Sequence, residues 1–320
     1  MTAPVSGPIV IAHRGASGYV PEHTLVAKGI AHAMGADYLE QDVVATKDHH
    51  PVVLHDIHLD TVTNVARRFH GRSRPDGRYY AIDFTLAELK TLEVLERFDH
   101  RNGRNVFSGR YSGGAGGFRI CTLDEEIRFI QNLNRTTGRQ VGIYPEIKQP
   151  AWHREEGCDL TSIVLQSLDR FGYRKKSDLC FLQCFDEFEV RRIREELSYQ
   201  GRLIQLVGDG HDARSGTDYS RMKTPEGLAD LAKVVDGIGP NLNSVVRWDD
   251  SRAANVTDLV AEAHRFGLAV HPWTVRADDL PAGCATLQQL IDTLRQAEVD
   301  GLFCDHPDQV LQLLSDSAKR

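Results

Sequence analysis

Short apolar runs rich in β-branched residues recur along this chain, and stretches with helical apolar spacing separate most of them. That alternation constrains the fold strongly, because parallel strands need a crossover between them and the sheet's faces must be covered by helices. Strands are expected at 8–13, 37–44, 52–55, 141–148, 179–185, 202–207, 234–240, 268–275 and 301–304, with helices at 24–34, 85–98, 123–134, 159–171, 188–197, 225–233, 255–266 and 287–297. Gly35 marks a helix end, and Thr85 and Glu88 stand at capping-box spacing. One connection breaks the rhythm. Only VVATKDHHP separates Asp42 from Val52, too short for a crossover helix, so these two strands form a hairpin or a tight bend. Nine strands with one such irregularity fit a distorted (β/α)8 TIM-type barrel better than a doubly wound sheet, and no GxGxxG fingerprint follows the first strand. At 320 residues the chain exceeds the usual single-domain size, but neither candidate insertion is long enough to be a domain. These are the Gly- and Arg-rich stretch after the third strand, at about 97–120, and the polar stretch 208–223. The expectation is one barrel domain spanning 1–320.

Charge and cysteine usage remove several function classes. With 38 Lys+Arg against 45 Asp+Glu the formal charge is −7, which gives no long-range attraction for a polyphosphate backbone and argues against a nucleic-acid partner. No stretch approaches the roughly 18 apolar residues of a membrane span. The six cysteines show no CxxC spacing and too low a density for a disulfide scaffold. The opening MTAPVSGPIVIAHRG has no basic leader region, so a cytoplasmic setting is expected, or a periplasmic or secreted one if a leader has been removed.

In a parallel barrel the chemistry gathers at the carboxyl ends of the strands. There the first strand ends in His13 and Arg14, the second carries Glu40 and Asp42 on one face, the third ends in His55 and Asp56, and the fourth carries Glu146 and Lys148 on one face. Each piece alone is weak: a histidine at a strand end is more often structural, and an ExD pair is usually solvated. Glu40 and Asp42, however, stand in an apolar strand where unpaired carboxylates are costly, and a bound cation removes that cost. Carboxylates with no cysteine beside them suit a hard divalent ion, Ca2+ or Mg2+. Phe185, Trp273 and Tyr19 either line an apolar side of the pocket or cap the barrel core. Glu22 and His23 are expected to support the first loop, and His49 and His50 to be solvated turn residues. The HxH pair of metal-dependent amidohydrolases is absent from the first strand.

The run IAHRGASGYVPEHTLVAKGIAHAMGADYLEQDVVATKDHHPVVLHDIHLDTVTNV, followed by GIYPEIK, FLQCFD, HPWTVR and DGLFCDHPD, resembles the glycerophosphodiester phosphodiesterase signature over nearly the whole chain. It is most similar to the longer bacterial periplasmic-type members. The resemblance implies a barrel enzyme hydrolysing small glycerophosphodiesters, such as glycerophosphocholine or glycerophosphoethanolamine, to sn-glycerol 3-phosphate and an alcohol. It implies His13 and His55 as the acid/base pair, Glu40, Asp42 and Glu146 as ligands of one divalent cation, and Arg14 and Lys148 on the phosphate; the strand-end positions of Phe185 and Trp273 put them beside the substrate. Many relatives read HDxxLDR where this chain has Thr61 after Asp60. Two rival readings are a phospholipase-type phosphodiesterase on the same barrel and a non-catalytic binding protein. Homo-oligomerisation is left open.

Overall fold

The structure is a computed structural model that describes residues 7–112, 116–249 and 253–317. The expected apolar runs form β1 (Ile9–Ala12), β2 (Tyr38–Ala45), β3 (Pro51–Val53), β4 (Gly142–Ile147), β5 (Phe181–Cys184), β6 (Arg202–Val207) and β7 (Gly237–Pro240). A short antiparallel pair follows, β8 (Val246–Trp248) with β9 (Ala254–Val256), and then β10 (Ala269–Val270) and β11 (Gly301–Cys304). Eight parallel strands run in the order β10-β7-β6-β5-β4-β2-β1-β11. The open edge is drawn together by Val275 N donating to the Phe303 carbonyl at 2.8 Å and Phe303 N to the Pro272 carbonyl at 3.0 Å. The result is a nearly closed TIM-type barrel, as the alternation predicts. The short 42–52 connection does make a hairpin: β3 pairs antiparallel with β2, Val44 opposite Val52.

Period-2 alternation sorts the strand side chains onto two faces. Val10, Ala12, Leu39, Val43, Leu302 and Cys304 point outward into the main core under the helices. Ile11, Tyr38, Tyr144, Phe181, Ile204 and Phe303 point inward and form a separate aromatic plug. Tyr144 and Phe181 stack with centroids 5.0 Å apart, and the Tyr144 hydroxyl is 2.9 Å from His271 Nδ1. Two residues further along the same faces come His13, Glu40, Glu146 and Gln183, so a polar layer lies directly on an apolar floor.

Outside the barrel, side-chain caps set the helix starts. Thr24, Thr122, Asp159, Asp186, Thr224 and Thr286 each accept from a backbone N–H of the first turn. Thr122 and Glu125 make a complete capping box for Leu123–Thr137. Thr122→Ala is expected to cost about 1 kcal/mol, read as a lower urea midpoint with an unchanged m-value. One fully buried ion pair lies behind β2, with Lys28 Nζ 2.7 Å from Glu126 Oε1 while also bonding the Glu40 carbonyl. All six cysteines are free and five are buried. No described helix is long and apolar enough to cross a membrane.

The structure departs from expectation in several places. The helix expected at 85–98 has its capping box but stops at Leu89. Beyond it the backbone bonds elsewhere, Leu95 N to the Val62 carbonyl at 2.8 Å and Val94 N to the Phe118 carbonyl at 3.1 Å. The excursion between the hairpin and the helix Leu123–Thr137 spans 54–122 and encloses the expected 97–120 insertion, of which 113–115 lie outside the described residues. The helix expected from 255 begins at Leu259, since Ala254–Val256 is taken by β9. The strand expected at 268–275 is ladder-paired only over Ala269–Val270, and a helix at Pro307–Ser317 was not foreseen.

Candidate active site

The HRG turn shapes the first corner. Arg14 and Gly15 both have positive φ, 58° and 89°, and a Cβ on Gly15 would lie 2.8 Å from the Ala27 carbonyl carbon. Only glycine fits there. The turn aims the Arg14 backbone N–H at Glu40 Oε2, 2.7 Å away, and tucks the guanidinium against Glu22 at 2.9 Å. His13, Arg14, Glu40, Asp42, His55, Glu146, Lys148, Phe185 and Trp273 all line one cavity of about 100 Å³ at the carboxyl end of the barrel. Of the residues singled out from the strand ends, these nine are brought together, while Asp56 stands behind His55. Tyr19 lies elsewhere, its hydroxyl donating to Asp308 at 2.7 Å.

At the cavity's base one oxygen each from Glu40, Asp42 and Glu146 lies within 4.8 Å of the others. These residues are 3%, 1% and 5% exposed, so no bulk water dilutes their repulsion. Burial and the neighbouring Asp42 raise the Glu40 pKa well above its usual value. Burial, reinforced by Asp42 against the opposing Lys148, pushes Glu146 up to about 8. Asp42 ends low despite burial because Lys148, His55 and His23 favour its anion. Lys148 Nζ sits 2.8 Å from Glu146 and 3.6 Å from Asp42, yet Asp42 Oδ1 accepts no hydrogen bond. An all-oxygen cluster whose buried carboxylates repel one another and leave an oxygen unsatisfied fits a hard divalent cation.

Both imidazoles are held in the same manner. His13 Nδ1 is 2.6 Å from Asp305 Oδ1, and His55 Nδ1 is 2.6 Å from Asp56 Oδ1. Each carboxylate is tied in turn to arginine: Asp305 to Arg110 at 2.7 Å and Arg276 at 2.9 Å, Asp56 to Arg97 at 2.6 Å. Burial and Arg14 lower His13 to about 4, against the pull of Asp305. Surrounding protein, Arg14 and Lys148 lower His55 to about 3. Both rings are therefore neutral at pH 7. With Nδ1 committed to a carboxylate, Nε2 keeps the lone pair.

Glu22 and His23 do support the first loop. Glu22 bridges Arg14 and Arg97, and His23 Nε2 lies 2.7 Å from Asp42 Oδ2. At the departure from HDxxLDR, Thr61 Oγ1 donates to Asp56 Oδ2 at 3.0 Å while Arg97 supplies that carboxylate's cation. Sequence reasoning missed Asp305, Arg97, Arg110, Arg276 and Gln183, whose Nε2 donates to Glu40 at 3.2 Å. Asp305 alone carried a signal, as a carboxylate just after the last strand.

Beside Arg97, Glu96 is 8% exposed and its Oε2 has no hydrogen-bond partner. Burial, with Glu22 nearby, raises its pKa from 4.5 to about 7. Between those values the native state holds a proton that the unfolded chain has lost, so stability falls as pH rises from 4.5 and levels off above about 7. Glu96→Gln is expected to remove that slope, about 3 kcal/mol in total, in urea denaturation at a series of pH values.

Fold and site together define a β/α-barrel protein with a cluster of acidic, basic and imidazole groups at the carboxyl ends of its strands. The sequence profile described as "Glycerophosphoryl diester phosphodiesterase family" matches residues 13–309. A glycerophosphodiester phosphodiesterase from Haemophilus influenzae is 42% identical over 97% of this chain and 90% of its own length. One from Treponema pallidum is 36% identical over 97% and 93%. Among solved structures, a Silicibacter pomeroyi protein named for the same family superposes with a TM-score of 0.74 at 25% identity, over 98% of this chain and 95% of its own. An Oleispira antarctica phosphodiesterase, solved in complex with the product sn-glycerol-3-phosphate, gives a TM-score of 0.62 at 20% identity over 97% of both chains. The chain belongs to the glycerophosphoryl diester phosphodiesterase family and is an enzyme of that class, a phosphoric diester hydrolase.

Proposed function

We propose that the enzyme hydrolyses small glycerophosphodiesters to sn-glycerol 3-phosphate and an alcohol, with His13 and His55 as its acid/base pair. The whole chain is read as one barrel domain whose 97–120 insertion contributes to the mouth. The observation that carries the reading is the pair of carboxylate-held imidazoles flanking a cavity lined by Arg14 and Lys148. Arg14 Nε is buried without a hydrogen-bond partner, a donor suited to a phosphate oxygen. Arg14 and Lys148 place fixed positive charge where negative charge grows in the transition state. A neutral imidazole accepts the proton of the attacking hydroxyl at Nε2. The other must enter the reaction as imidazolium, and the bound phosphate's negative charge favours that proton. Phe185 and Trp273, in edge contact at 5.6 Å, give the glycerol an apolar wall.

Glu40, Asp42 and Glu146 would hold a Ca2+ or Mg2+ ion, which when bound neutralises phosphate charge and lowers the pKa of an adjacent hydroxyl. The attacking group is water or the neighbouring glycerol hydroxyl, and the second route forms a 1,2-cyclic phosphate. The product complex of the Oleispira antarctica phosphodiesterase supports glycerol 3-phosphate as the released ester. The test is incubation with glycerophosphocholine, with glycerol 3-phosphate assayed directly and quenched samples analysed for the cyclic ester. Release of soluble glycerol 3-phosphate, with none formed from intact bilayers, is expected. Hydrolysis of bilayer phospholipid, or binding without turnover, overturns the reading.

A further inference from the structure

A line of alternating charge connects His55 to Arg14, and Arg97 is its middle link. His55 Nδ1 lies 2.6 Å from Asp56 Oδ1, and Arg97 Nη1 donates to Asp56 Oδ2 at 2.6 Å. The other edge of the same guanidinium grips Glu22, Nη2 to Oε1 at 2.6 Å and Nε to Oε2 at 2.9 Å. Glu22 Oε2 in turn accepts from Arg14 Nη1 at 2.9 Å. Arg97 thus stands between an imidazole and a cation that both line the catalytic cavity, without lining it itself.

The two edges of the guanidinium have different consequences. At Asp56 it keeps charge on the carboxylate that holds the His55 ring. At Glu22 it occupies both oxygens, so Arg14 is bound there through Nη1 while its Nε is left buried without a hydrogen-bond partner. Against burial, Arg14 and Arg97 hold the Glu22 carboxyl well below its usual range. If Arg97 were absent, that anion would be free to take Arg14 with both oxygens, as carboxylates prefer, and claim Nε as well.

The backbone places position 61 alongside. Phe98 N donates to the Thr61 carbonyl at 2.9 Å and Leu95 N to the Val62 carbonyl at 2.8 Å, and Val94 bridges antiparallel to Thr63. Thr61 Oγ1 already donates to Asp56 Oδ2, the oxygen that Arg97 holds, at 3.0 Å. A guanidinium carried on position 61 would approach the same carboxylate from the adjacent segment.

We propose that Arg97 is a positioning residue that holds His55 in register for proton transfer and keeps Arg14 Nε free for phosphate. The proposal rests on the hydrolase reading above. Arg97→Ala is expected to lower kcat on glycerophosphocholine about thirtyfold and to raise KM about fivefold. Adding Thr61→Arg should return kcat to within about threefold of the parent, which repacking alone would not do. The ring 15N shifts of His55 should move in Arg97→Ala and return in the double variant. Should Arg97→Ala fail to fold, Arg97→Lys takes its place: a point charge serves one carboxylate at a time, so kcat/KM should fall about tenfold. Parental kcat/KM in the folded variant, or no recovery of kcat in the double variant, overturns the proposal and leaves the hydrolase reading standing. Absence of turnover by the unaltered enzyme overturns the hydrolase reading instead. The positioning role is then judged by the His55 shifts alone, and unchanged shifts overturn it.

Discussion

His13→Ala or His55→Ala is expected to lower kcat by at least about a hundredfold with the fold intact, the loss typical of removing a general acid or base. In either variant one proton transfer must pass to water, which is neither positioned nor matched in pKa. The stability effects should differ. His55 has 31% of its side chain exposed and its partner Asp56 keeps Arg97, so its loss leaves little unsatisfied. His13 is 8% exposed, and its removal takes one donor from buried Asp305, which retains Arg110 and Arg276. Steady-state kinetics beside thermal unfolding curves separates chemistry from folding. Near-normal turnover in either variant ends that histidine's proposed role.

Asp305→Asn should damage stability and rate together. The carboxylate is 1% exposed and receives His13 Nδ1 at 2.6 Å, Arg110 at 2.7 Å and Arg276 at 2.9 Å. Burial alone would raise its pKa; His13, Arg276 and Arg110 together hold it well below the usual 3.8. A carboxylate depressed in this way lends stability above its unfolded pKa of 3.8 and loses it as pH falls below that value. Asparagine removes the anion and strands two guanidinium groups near a neutral amide, an expected cost of about 3–5 kcal/mol. Arg110 keeps Asp278 at 2.7 Å, which places the cost toward the lower end. An asparagine NH2 turned toward His13 also reverses the ring's tautomer, putting hydrogen on the nitrogen that faces the cavity. Urea midpoints, kcat and the ring 15N chemical shifts of His13 report these effects. Unchanged shifts with lowered kcat would mean that Asp305 acts through packing and not through the tautomer.

The barrel and its acidic mouth were legible because strand alternation is a local signal. Glu40 and Asp42 lie two apart in an otherwise apolar strand, and that alone says they share a face. Asp56 stands next to His55 in the sequence, but the pairing that orients His13 was illegible because its contacts are remote. His13 meets Asp305 across 292 residues, and Arg110 reaches the same carboxylate across 195. No spacing rule connects such positions. The 85–98 segment misled for a different reason. Its capping box is real, but backbone pairing with 62 and 118 outweighs one turn of helix propensity.

The aromatic plug of Tyr38, Tyr144, Phe181 and Phe303 stops the lumen at one end, directly under the carboxylates. Entry and exit must then share a single doorway. For the proposed substrate, held with its glycerol inward, an alcohol freed at the outer side would have to clear the threshold before the phosphorylated glycerol behind it could follow. The expected order of departure puts the deeper product last, where it would compete with the next arrival.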